Sequence, residues 1–86
     1  MRTIRLYTLD GRCNISGERI KLARSTAKMT QDQLAAKLQL AGLQMGQMAI
    51  SRIERGKRRV PDFELPIIAD ALNVSTDWLL GIDSTK

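Results

Sequence analysis

Ile50-Ser51-Arg52-Ile53-Glu54-Arg55-Gly56, followed directly by Lys57-Arg58-Arg59, is the stretch from which this chain is best read. Ile50 and Ile53 share one edge of a helix, while Ser51 and Arg52 face the other way. Gly56 is the residue type that most readily closes a helix in the left-handed conformation. The basic run then falls where the next loop begins. A helix with an apolar inner edge, a polar outer face and a basic exit is suited to lie along a polyanion.

Upstream, Thr30-Gln31-Asp32-Gln33 opens another short helix, and the two together have the layout of a helix-turn-helix. Thr30 and Gln33 form a capping box, and Met29 with Leu34 a hydrophobic staple. Leu34, Ala35, Leu38 and Ala41 continue the helical spacing to Gly42, where Leu43 is placed to touch Leu38 as in a Schellman end.

The rest of the chain reads as three more helices. Ser16 is the expected N-cap of the first, with Ile15 and Ile20 as staple, an inner stripe of Ile20, Ala23 and Ala27, and an end near Ala27. The helix carrying Ile50 starts at Gly46, with Met45 and Ile50 as staple. Pro61-Asp62 is expected to open the fourth, with a stripe of Leu65, Ile68, Ala69 and Leu72 and a stop at Asn73; Pro66 then falls near the N4 position. Ser75 caps a short fifth helix, with Val74 and Leu79 as staple, and Gly81 ends it. The expected fold is therefore all-α, with an extended arm at 1–15, a domain at 16–81 and a frayed tail at 82–86.

The chain has 86 residues, enough for one small core. Its only aromatic residues are Tyr7, Phe63 and Trp78, so aliphatic side chains must fill that core. The net charge of +5 is unevenly spread. Residues 1–60 hold 13 basic and four acidic side chains, whereas 61–83 hold five acids and no Lys or Arg. This suits a positive working face on a negative scaffold. No apolar run approaches the roughly 20 residues of a membrane span, no signal peptide is legible, and the single Cys13 fits a reducing cytoplasm. Cys13 reads as an inert small residue or a redox switch. Histidine is absent, and one cysteine cannot build a metal site, so neither catalysis nor a cofactor is expected.

From Ser16 to Gly81 the chain resembles the phage-repressor-type helix-turn-helix regulators. Thr30-Gln31 with Leu34-Ala35, Ile50 through Gly56, and Ala69-Asp-Ala-Leu-Asn-Val-Ser-Thr-Asp-Trp-Leu-Leu-Gly81 carry the resemblance. It implies a five-helix domain that binds double-stranded DNA as a homodimer, with helix 3 in the major groove. Gln47, Met48, Ser51 and Arg52 would face bases. Thr30, Gln31, Arg55, Lys57, Arg58 and Arg59 would meet phosphates, Gln31 also bracing Gln47. Arg24 and Glu54 would form an internal ion pair. The two-fold contact would lie near Phe63, Val74 and Trp78, although Trp78 reads as core before it reads as interface. The chain departs from the family between Ala35 and Ile50, where about five residues are extra, and Gly46 stands where Ser or Thr usually caps helix 3.

Gln47 at a helix start can bond adenine N6 and N7, or be a solvated residue. Met48 can pack on a thymine methyl or simply be exposed. Arg52 suits guanine or a phosphate. The 55–59 patch is either a phosphate clamp or a solvated loop. Arg2 and Arg5 in the arm can enter a minor groove, the arm can pair with a second subunit, or it can be a disordered tail. The competing function is a protein-interaction module, an antitoxin or regulatory adaptor built on the same helices. No small-molecule ligand or membrane partner is indicated.

Overall fold

The computed structural model of the protein describes residues 11–82. Arg2, Arg5 and the rest of 1–10, with the tail at 83–86, lie outside the described residues. Five α-helices follow in order: α1 Gly17–Thr26, α2 Gln31–Leu40, α3 Gln47–Glu54, α4 Leu65–Leu72 and α5 Thr76–Leu79. Ile20, Leu34, Leu38, Ile50, Ile53, Ile68 and Leu79 are fully buried, so each helix contributes to one core. α3 is held between α1 and α2, α4 packs across both of those helices, and α5 closes against α1 and α4. None of the described helices is long and apolar enough to cross a membrane.

The caps explain where the helices begin. Thr30 and Gln33 form the full reciprocal box, with Thr30 Oγ1 accepting from Gln33 N at 3.0 Å and Gln33 Oε1 from Thr30 N at 2.8 Å. Ser75 Oγ accepts from Trp78 N at 3.0 Å. Ser16 occupies the N-cap position of α1, but its side chain makes no cap. Asn14 Oδ1 instead accepts from Gly17 N at 2.8 Å. Ile15 is exposed, so the expected staple does not join the core.

All five helices end the same way. The residue after the last turn is left-handed, and two backbone bonds fold back, as Gly42 N to Gln39 O and Leu43 N to Leu38 O do after α2. The left-handed residues are Lys28, Gly42, Gly56, Asn73 and Gly81. Ala27 and Ala41, assigned to inner stripes, are exposed where their helices end.

α4 starts later than the Pro61-Asp62 signal implies. A separate turn, closed by Glu64 N to Pro61 O at 3.0 Å, precedes Leu65. Pro66 is then the second helical residue, where a missing N–H costs nothing because that group has no intrahelical acceptor. The extra length between Ala35 and Ile50 is partly spent on core. Leu43 and Met45 turn inward from the α2–α3 loop, and Gln39 Nε2 donates to Met45 O at 3.0 Å.

Candidate nucleic-acid interface

A directional chain of side chains runs from the core to the outer start of α3. Arg24 Nε donates to Glu54 Oε2 at 2.6 Å and Nη2 to Oε1 at 3.0 Å. Gln31 Nε2 donates to the same Oε1 at 3.0 Å. Gln31 Oε1 in turn accepts from Gln47 Nε2 at 2.6 Å. An ionised carboxylate only accepts, so Gln31 must offer its amide nitrogen inward and its oxygen outward. Gln47 must then present nitrogen to Gln31. One N–H and the Oε1 of Gln47 remain for an external partner, the donor–acceptor pair that matches an adenine edge.

The Arg24–Glu54 pair is withdrawn from water, with side-chain exposures of 14% and 3%. The bond to Glu54 raises the Arg24 pKa above its already alkaline range, outweighing the opposing effect of burial. The stabilisation is therefore complete below the unfolded-state value and is lost only as pH climbs through the raised one. Arg24 stays charged at neutral pH. Arg24 Nη1 also donates to Met29 O at 2.8 Å, so one guanidinium fixes both α3 and the α1–α2 turn.

The far end of α3 is clamped by residues that precede α1. Asn14 Nδ2 donates to Ile53 O at 3.0 Å and Arg58 O at 2.7 Å, Cys13 N donates to Gly56 O at 2.8 Å, and Arg12 Nη2 donates to Glu54 O at 3.2 Å. Arg12 thus places positive charge on carbonyls left over at a helix C-terminus, where the dipole is negative. These contacts need close approach. A Cβ on Gly17 would collide with the Ile53 carbonyl oxygen, and one on Gly56 would lie 2.6 Å from Arg12 Cζ. Sequence reading missed Arg12, Asn14 and Gly17, whose partners lie some forty residues away in sequence. The arm assigned to 1–15 is therefore tied to the domain at least from Arg12 to Asn14.

The expected base-facing residues share the outer side of α3: Met48 and Arg52 are exposed, Gln47 and Ser51 half-buried. Thr30 is exposed at the α2 N-cap, and Arg55, Lys57 and Arg59 are exposed at the α3 exit. Arg58 is placed differently. Its Nη1 and Nη2 donate to Glu64 Oε1 and Oε2 at 2.8 and 3.2 Å, and Nη1 also donates to Arg59 O at 3.0 Å. The bond to Glu64 raises the Arg58 pKa, again against a lowering by burial. Much of its bonding capacity is therefore turned to the buried Glu64, an acid that sequence reading did not connect with it. Cys13 is half-buried and lines an open hollow with Lys57, Arg58, Arg59 and Pro61.

Of the residues expected near the two-fold contact, Trp78 takes the core side of its two readings. Trp78 is only 4% exposed. Arg19 lies over its ring at 4.8 Å and donates to its carbonyl at 3.0 Å, so the indole belongs to the core. Phe63 and Ile82 remain exposed, at 67% and 72%, and Val74 is half-buried.

Two helices joined by a short loop, the second held rigidly with a polar outer face and a basic exit, define a helix-turn-helix DNA-binding transcription regulator. The helix-turn-helix family model matches residues 20–79, and the chain belongs to that family, the Cro/C1-type regulators. Among solved structures the chain is similar to the P22 c2 repressor protein, crystallised in complex with synthetic operator 9T in the presence of Tl+. The identity is 30%, the match covers 81% of this chain and 98% of that one, and the TM-score is 0.68.

Proposed function

We propose that this protein is a dimeric repressor that reads a near-palindromic operator with α3 in the major groove. The observation that carries the reading is the Glu54–Gln31–Gln47 chain, which fixes an amide donor–acceptor pair at the start of α3. Gln47 reads adenine, Met48 packs on a thymine methyl, and Ser51 and Arg52 reach the next bases or their phosphates. Thr30, Gln31, Arg55, Lys57 and Arg59 hold the backbone, with Arg58 contributing less because Glu64 already engages it. The likeness to a repressor solved on its operator supports the choice of DNA. Phe63 and Ile82 are each exposed apolar side chains available to a second copy. A two-fold dimer sets the recognition helices about 34 Å apart, one turn of DNA.

The test is selection of bound sites from randomised duplex DNA near physiological salt. Recovery of a two-fold-symmetric motif with adenine at the Gln47 position is the expected result. Salt-sensitive background binding without enrichment overturns the reading in favour of a protein-interaction module.

A further inference from the structure

Five helices close with the same left-handed motif, and four of them use Gly or Asn at the left-handed position. Those are the residue types that tolerate positive φ. The exception is Lys28, at φ 58° after α1. Its Cβ makes this conformation unfavourable, and nothing in the described fold repays it through the side chain. Lys28 is exposed and makes no ion pair or side-chain hydrogen bond among the described residues.

The position is also rigid. Lys28 N donates to Ser25 O at 3.0 Å and Met29 N to Arg24 O at 3.1 Å, while Met29 O accepts from Arg24 Nη1 at 2.8 Å. Thr30 and Gln31 follow at once, and Gln31 touches both Glu54 and Gln47. Arg24 and Glu54 thus tie the strained turn to the start of the reading helix. A cation held in an unfavourable backbone conformation, with no partner in the described fold, beside the exposed start of α2, has an external anion as its evident counterpart.

We propose that Lys28 is a DNA phosphate ligand, placed by the left-handed end of α1 beside the phosphate contacted by Thr30 and Gln31. This rests on the DNA-binding reading above and adds a contact from a third element, the α1–α2 turn. Lysine suits the role because its compact charge needs no fixed approach angle. The position is thereby less favourable for folding than glycine and more favourable for binding.

The test compares wild type with Lys28→Gly, Lys28→Gln and Lys28→Arg. Thermal unfolding is measured alone, and binding to a random-sequence 30-base-pair duplex is measured across a salt series. Lys28→Gly should raise Tm by a few degrees through relief of the positive-φ strain. The same variant should lower the log–log salt slope by about 0.9 and weaken binding about fivefold at low salt. Lys28→Gln should show the same loss of slope without the gain in Tm, and Lys28→Arg should retain the slope. An unchanged slope in both neutral variants overturns the proposal while leaving the DNA-binding reading intact. Failure of the wild-type protein to bind duplex DNA overturns both.

Discussion

At the scale of single residues, Glu54 decides which way the Gln47 amide points. It does so without nearing the outer surface, because a carboxylate accepts from Gln31 and leaves Gln31 able only to accept from Gln47. Glu54→Gln abolishes that logic, since an amide can donate as well as accept. It also leaves the Arg24 charge buried without its counter-ion, so a stability loss of about 3–5 kcal/mol is expected in urea titration. A loss below about 1 kcal/mol would show that the pair is solvated rather than buried. Gln47→Ala acts at the other end of the chain. It should leave stability nearly unchanged yet cost about 1–3 kcal/mol on the preferred site, relaxing one base pair. An equal loss on random DNA would remove Gln47 from base reading.

At the scale of elements, the approach of α1 to the end of α3 sets the angle at which the outer face of α3 is presented. Gly17 permits that approach and Asn14 bridges it. Gly17→Ala favours a helix by propensity, which would raise stability by roughly 1 kcal/mol if the position were open. Here the added methyl meets the Ile53 carbonyl, so the prediction reverses. A destabilisation of about 1–3 kcal/mol is expected, as for overpacking. Equilibrium denaturation decides the sign, and a gain in stability would mean that the two helices can separate without cost. The caps at Thr30, Ser75 and Gly42 were legible because their partners lie within a few residues. The Asn14 bridge was not, because its partners are far along the chain.

At the scale of the whole molecule, the basic patch divides into cations that serve the fold and cations that face outward. Lys57 is exposed, whereas Arg58 is bound to Glu64, whose side chain is 8% exposed. Lys57→Ala should lower the salt slope by about 0.9 at constant stability. Arg58→Ala should instead cost stability, about 1–3 kcal/mol before discounting for its partial exposure, with a smaller change in slope. If the two variants shift the slope equally and neither unfolds more easily, Glu64 does not hold Arg58 in solution. Acids at 61–83 are likewise not all scaffold charge, since Glu64 reaches back to the basic half.

The sequence by itself determined the five helices, most of their ends and the outward face of α3, because apolar spacing, capping and left-handed stops act over one or two turns. Through the family resemblance it also located the Arg24–Glu54 pair and the Gln31 brace on Gln47. Only the tertiary structure decided which charges are spent inside. Arg58 pairs with Glu64, Arg19 lies over a buried Trp78, and Arg12 caps α3 because packing brings distant parts of the chain together. Residue type tells that a cation is present. Whether its charge is answered within the fold or left for a partner depends on what the other helices place beside it.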